Sequence, residues 1–403
     1  MAACFAAIGG CDVHLFEKQQ KTGRKLAATG NGRCNISNAS LSDIRSCGEH
    51  YHGEDPSFAE RVISAFGLQQ TRDFFVGIGI PFREESGGRL FPASLQAASV
   101  ASILRYEAAK RGANIHLSRK IEFVERRENG FVLVTAGKEE FAADAVILAA
   151  GSPAYPSLGG DDFGIQAAKS FGHTIIEPLP VILPLNIADK ALHTLQGVKW
   201  NVRLTVSING AEAARSEGEL LFTGYGISGP AVLAVSRAVN KGIIENAAPA
   251  LTADFFPEAN EGELRQMLTN LWLDEGKKFA FSLMGALNER LCPVLADAAG
   301  INPEGRVADV SAEAREKFIR IAKCFPLPAG KPRSFKEAVT AAGGVRTKEI
   351  DFTTMESKLV KGLYITGELL DIDGDSGGYN LQFAWSTGAV AGAAASRRYI
   401  RLK

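Results

Sequence analysis

Residues 145–151 read AVILAAG, without a single polar side chain. A short run of this kind fits a strand covered on both faces, the habit of a parallel sheet flanked by helices. Its last residues, Ala149, Ala150 and Gly151, are small enough to let a ligand reach the backbone. Upstream, DVHLFE (12–17) alternates in polarity and ends on an acid, like the second strand of a nucleotide-binding βαβ unit. The Glu17 carboxylate at that edge can accept two hydrogen bonds from a ribose diol; it reads equally as a solvated strand end. Such a unit opens with a strand and a G-x-G-x-x-G turn, the acid following about 20 residues later. Only MAACFAAIGG stands in front, and residues 2–8 read as a helix stopped by Gly9 and Gly10.

The remaining pattern is an alternation of helices and strands. Residues 57–79 carry apolar side chains at helical spacing, PFREESGGRLFP reads as a hairpin turning at Gly87-Gly88, and LQAASVASILRYEAAKRG as an amphipathic helix. ANIHLS, KIEFVERR, GFVLVTA and KEEFAADAVILAAG then read as strands. From about 178 prolines cluster, strands follow, and 261–325 is helical and more charged, as in an inserted domain. The chain returns at AGGVRTKEI, the strand GLYITGE and the small-residue helix TGAVAGAAASRR. The expected domains are 1–178, an insert at 179–338, and 339–403.

At 403 residues the chain is too long for one ordinary core. Lys+Arg equals Asp+Glu at 45 each, so nothing biases it toward nucleic acid or an anionic membrane. No apolar run reaches the roughly 18–20 residues that span a bilayer. The six cysteines never form a CxxC pair, and they read as reduced thiols in a cytoplasmic protein.

Three stretches carry chemistry. GYGISG (224–229) is a literal G-x-G-x-x-G between a strand and a helix, readable as a dinucleotide turn or as a tight strand-to-helix turn; Pro230 has no N–H to offer a phosphate. GRKLAATGNGRCN (23–35) sets Arg24, Lys25 and Arg33 around glycines that can expose backbone N–H groups to a diphosphate or a ring edge. Cys34 beside Arg33 is either a thiol of lowered pKa or a small packing residue. In residues 362–395 an Asp/Gly-rich loop with Asp371, Asp373 and Asp375 leads through Gly377-Gly378 into a long helix. Its spacing does not suit a calcium loop, and no metal is expected. The start of that helix favours a ligand bearing negative charge.

FEK…GRKLAATGNGRCNISN, GGRLFPAS, AVILAAGSPAYPSLGGDDFG, GELLFTGYGISGPA, AAGGVRTKEI…TMESKL and GLYITGELLDIDGDSGGYNLQFAWSTG together resemble the BaiN/RdsA-type flavoproteins, the aminoacetone oxidase family of FAD-binding enzymes. The resemblance spans about 2–396 and implies an α/β fold: a Rossmann-like FAD-binding domain of the two-dinucleotide-binding-domain type, with an inserted β-barrel plus helical domain. It implies that Glu17 binds the adenosine ribose, that Lys18, Arg24 and Lys25 lie along the phosphates, and that Ile121 meets adenine. Gly32, Arg33, Cys34 and Asn35 would border the flavin, and Ala149, Ala150 and Gly151 form a second cofactor turn. Gly367, Glu368, Asp371, Gly377, Gly378, Tyr379, Asn380 and Leu381 would hold the ribityl chain and pyrimidine edge.

The chain departs from the family at Gly224, where a bulky polar residue is usual, and at its start. There the family's first strand and glycine turn, about 15 residues, are absent; the expectation is a natural start upstream of Met1. The implied activity is FAD-dependent oxidoreduction of a small molecule, with NAD(P)H as electron donor. A flavin-binding protein without turnover and an RNA-modifying flavoenzyme are the rivals, the second disfavoured by the zero net charge. Tyr225, Arg346 and His193 are candidate catalytic groups that also read as structural. The oligomeric state is not legible.

Overall fold

Helix α1 (Ala2–Ile8) ends at Gly9, and the chain enters strand β1 (His14–Glu17) a few residues later. The computed structural model describes residues 1–402. Two compact units emerge, one made of 1–179 with the chain from 340 onward, the other of 180–339.

In the first unit, α2 (Arg24–Gly32) follows β1, and α3 (Ala97–Lys110) precedes β2 (Asn114–Leu117). β1 and β2 pair in parallel, His14 opposite Asn114 and Glu17 opposite Leu117. β3 (Ile121–Arg127), β4 (Gly130–Thr135) and β5 (Glu140–Ala143) form an antiparallel meander. The AVILAAG run supplies β6 (Val146–Leu148), which pairs in parallel with β7 (Leu363–Ile365). Val146, Leu148 and all three β7 residues are buried, as continuous apolar strands of a covered sheet should be. Each such side chain contributes about 1.5–3 kcal/mol on burial.

The unit closes with α4 (Tyr379–Leu402). Its small residues serve a close helix crossing against α1. A Cβ on Gly392 would stand 2.3 Å from the carbonyl oxygen of Ala2, and one on Gly388 3.1 Å from Met1 Cβ. Phe383, Trp385, Ala389, Ala391 and Ala395 of α4 are buried. Among the described residues no helix is long and apolar enough to cross a membrane.

The second unit holds a six-stranded sheet ordered 185–186, 226–228, 211–223, 199–208, 250–254, 325–326. It curls until its ends meet at an antiparallel bridge between Ile187 and Ala329, making a barrel. The amide of Ala188 donates to Pro328 O and that of Gly330 to Asn186 O, both at 2.8 Å. Helices at Glu261–Leu271, Leu291–Ala299 and Ala312–Lys323 share its core, with Trp272, Phe279 and Phe318 packed ring against ring.

GYGISG belongs to this barrel: it combines a hairpin reversal with the tight strand-to-helix turn at Gly229, and it is not a dinucleotide turn. Residues 226–228 are a strand antiparallel to 221–223, and the reversal between them holds Gly224 and Tyr225. Gly226 is glycine because a Cβ there would sit 2.3 Å from Leu185 O, and Gly229 (φ 100) caps the helix begun by Pro230. The glycines permit strand pairing and leave no amide cradle for a phosphate.

Candidate functional site

At the C-terminal ends of β1 and β6 the first unit opens into a cavity of about 810 Å³. Its polar end is lined by Glu17, Lys18, Arg24, Lys25, Lys120 and Asp161, and by the backbone of Ala149, Ala150 and Gly151. Ile121 reaches it from the start of β3. A Cβ built on Gly151 would meet no atom within 4 Å, so that turn borders open space.

Several of these side chains are already ordered. One Glu17 oxygen accepts the Gln19 amide at 2.8 Å, which fixes the carboxylate at the strand's end. Lys18 pairs with Asp161. Arg24 donates to Gln19 Oε1 at 2.5 Å and to Ser157 O at 3.2 Å. Lys25 sits 2.5 Å from Glu368 Oε2, which also accepts Ser152 Oγ at 3.0 Å, while Glu368 Oε1 accepts Thr340 Oγ1 at 3.0 Å. The sequence gives no sign of the Lys18–Asp161 pair; its nearest hint is an acid following Gly159-Gly160.

Helix α2 leads from this cavity to a second cluster. Its end is bent by Gly30 (φ 56) and Asn31 (φ 57), and the chain then turns at Cys34 (φ 63). The bend contains the first glycine of TGNG. Gly32 follows it, and the Arg33 guanidinium lies 4.5 Å above the Phe91 ring and 3.1 Å from Glu85. Cys34 is fully buried, and burial pushes its thiol up to about 12 against a smaller opposing hydrogen bond from Thr29. It is therefore the packing residue of the two readings, and the acidic thiol is excluded because desolvation dominates.

Asn35 faces the entry to α4. A Cβ on Gly378 would lie 3.0 Å from Asn35 Oδ1 and 2.4 Å from Ser37 O. That Oδ1 is buried and has no hydrogen-bond partner among the described residues, a state expected where a ligand N–H completes the site. Gly377 O accepts from Asn38 Nδ2 at 3.0 Å, Tyr379 OH lies 3.0 Å from Ser40 Oγ, and Asn380 closes a two-bond clasp on Gly374. Leu381 packs with Cys34 and Trp385.

A group that sequence reasoning missed lies beside this cluster. His50 Nδ1 and His52 Nε2 approach the two Asp375 oxygens at 3.1 and 2.8 Å, and the His50 ring stacks on Tyr379 at 4.2 Å. Burial pushes the Asp375 carboxyl up, but hydrogen bonds from His52 and His50 bring it below its ordinary value. The only hint was two histidines spaced for one side of a strand.

Other expected residues sit elsewhere. Asp371 is buried away from the cavity and accepts the Glu54 amide at 2.9 Å. The Gly367 amide (φ 63) donates to Thr387 Oγ1 at 3.0 Å. Arg346 is held in a two-pronged pair with Glu54 at 2.9 and 3.1 Å. In the second unit, Tyr225 lies under the Arg333 guanidinium at 4.1 Å, and His193 Nε2 is 3.0 Å from Ile187 O. These three catalytic candidates are each engaged in a contact that holds the fold.

The arrangement has known counterparts. A family described as the HI0933-like protein Rossmann domain matches residues 1–394. A 3-dehydro-bile acid delta(4,6)-reductase of Clostridium scindens is 36% identical over 97% of this chain and 94% of that protein. A ribosomal RNA dihydrouridine synthase of Haemophilus influenzae is 29% identical over 96% of this chain and 94% of that protein. Among solved structures, the 3-ketosteroid delta1-dehydrogenase of Sterolibacterium denitrificans has the same fold, with a TM-score of 0.53, 13% identity, and coverage of 98% of this chain and 97% of that one. The fold is thus a Rossmann-like FAD-binding domain carrying an insert, and the chain belongs to the HI0933-like Rossmann family, of the BaiN/RdsA type.

Proposed function

We propose that the protein is an FAD-dependent oxidoreductase that reduces a carbon–carbon double bond conjugated to a carbonyl in a small molecule, drawing electrons from NAD(P)H. The carrying observation is one cavity lined by a strand-end carboxylate, Glu17, by the bare turn Ala149–Gly151 and by Lys18, Arg24 and Lys25. Carboxylate for ribose, cations for diphosphate and an open backbone turn are the complement of an adenine dinucleotide.

The donor set fits FAD at both ends. Glu17 would hold the ribose and Arg24 the phosphates, with Ile121 against adenine. Asn35 would offer its unpartnered oxygen to a ring N–H, and the N-terminus of α4 at Gly378–Asn380 would favour negative charge on the ring's pyrimidine edge. When bound, FAD supplies hydride transfer. The chain's own part is to hold the ring edge between Asn35 and α4, and to exclude water through the buried Cys34, Ile36 and Trp385 behind it.

The substrate class rests on two named relatives. A bile acid dienone and the uracil ring both carry a C=C bond conjugated to a carbonyl, so one chemistry covers both names. A small-molecule substrate is favoured over RNA by the higher identity to the reductase and by a net charge of zero. The test is the absorption spectrum of the purified protein, followed by anaerobic titration with NADH and NADPH and then a 3-oxo-4,6-diene steroid. Flavin bands bleached by a nicotinamide and restored by the dienone are expected. A colourless protein that takes up no added FAD overturns the reading.

A further inference from the structure

The loop that leads into α4 carries a carboxylate gripped from two sides. Residues 51–52 pair antiparallel with 373–374, and the Asp375 amide donates to His50 O at 2.9 Å, so His50 and His52 flank that acid. Ionised carboxylate oxygens only accept hydrogen bonds, and each ring therefore donates: His50 through Nδ1 at 3.1 Å and His52 through Nε2 at 2.8 Å, one to each oxygen. Burial raises the pKa of this carboxyl, and those two hydrogen bonds more than reverse the rise. The acid stays ionised.

Asp375 is also tied to the start of α4. Asn380 Nδ2 donates to Asp375 O at 3.4 Å and to Gly374 O at 2.7 Å, while Asn380 Oδ1 accepts the Gly374 amide at 2.8 Å. The His50 ring stacks on Tyr379 at 4.2 Å. Asp371 and Asp373 are buried farther back in the loop, which leaves Asp375 as its acid nearest α4 in the chain. Three residues on, Gly378 adjoins the Asn35 Oδ1 that has no partner among the described residues. Three residues span at most about 11 Å. Two unit charges that far apart, at the effective dielectric of a protein surface, change an equilibrium by roughly tenfold.

The helix dipole favours negative charge on a ligand at this place, and a carboxylate beside the same helix end disfavours it. We propose that Asp375, oriented by His50 and His52, is a fixed negative charge that lowers the reduction potential of a flavin seated between Asn35 and α4. The proposal rests on the cofactor reading above and deepens it. Its consequence is direction: NAD(P)H becomes NAD(P)+, and the two electrons pass on to the conjugated C=C bond, which gains a hydride and one proton from solvent. Asp375 is a positioning residue, acting on the ring's charge across the helix end and taking no part in bond making.

The experiment measures the potential of the bound flavin by slow anaerobic reduction beside a reference dye at pH 8.5. Asp375→Asn keeps the shape and removes the charge. Its potential should rise by about 30 mV, the two-electron equivalent of a tenfold change in preference for reduced over oxidised flavin. Asp375→Glu, which keeps the charge, should stay near the wild-type value. Affinity for oxidised FAD, whose pyrimidine edge is neutral, should be alike in all three; a merely structural acid would move that affinity and leave the potential alone. His52→Arg retains the carboxylate but pairs it with a permanent cation, and should raise the potential too. It is the variant to read if Asp375→Asn does not fold. An unchanged potential in a variant that folds and holds flavin, or an equal rise in Asp375→Glu, overturns the proposal and leaves the cofactor reading standing. A protein that takes up no FAD overturns both.

Discussion

The Lys25 ammonium lies 2.5 Å from the Glu368 carboxylate, across 343 positions of sequence. The contact ties the start of α2 to the residues just after β7, with both side chains about three-quarters covered. Glu368→Gln keeps the acceptor for Ser152 or Thr340 but leaves the ammonium unmatched. We expect a loss of about 1–3 kcal/mol in urea unfolding, and a smaller loss for Lys25→Met together with Glu368→Gln than the two single losses summed.

The α1–α4 crossing depends on missing side chains. Gly392→Ala places a methyl 2.3 Å from Ala2 O and should cost about 1–3 kcal/mol through backbone displacement. Gly77→Ala, at a helix end where a Cβ meets nothing within 4 Å, should be neutral or stabilising by about 0.5–1 kcal/mol. Equal thermal shifts for the two would contradict the close crossing.

Asn35 separates binding from stability. Its Oδ1 has no partner among the described residues, so Asn35→Leu should leave the stability of the flavin-free protein unchanged or raise it slightly. FAD affinity should drop about tenfold, the worth of one hydrogen bond of roughly 1.4 kcal/mol. Fluorescence titration of apoprotein measures it; unchanged affinity would place the ring elsewhere.

Cys34 makes an alkaline signature. The unfolded thiol loses its proton near 9.0, the folded one near 12. Between those values the folded state binds more protons, so stability falls as pH rises, by about 1.4 kcal/mol per pH unit from this group. Cys34→Ala should flatten that slope in urea melts taken from pH 9 to 11, and native Cys34 should resist thiol reagents at pH 8 while the exposed Cys324 reacts.

Much of the first unit was legible because local pattern and tertiary role coincide. AVILAAG has one comfortable environment, and β6 occupies it; TGAVAGAAASRR was legible as a small-residue helix, whereas its close crossing with α1 was not. GYGISG stayed open between a dinucleotide turn and a strand-to-helix turn because its glycines answer to backbone approach from Leu185 and Glu219, residues outside the motif. Cys34 carried two readings, of which the packing residue holds: Arg33 is its neighbour in sequence, but the surrounding apolar cluster governs its proton. Asp371 stood out in an acidic loop, and its bond from the Glu54 amide, 317 positions away, was not legible. The Lys25–Glu368 contact and the two histidines on Asp375 join segments hundreds of positions apart, beyond any spacing rule.

The barrel closes where its chain enters and leaves, at Ile187 and Ala329. A module whose two ends are stitched together enters and leaves its host chain at one point. Such a piece can be enlarged, shrunk or exchanged between genes without rethreading the chain that carries it.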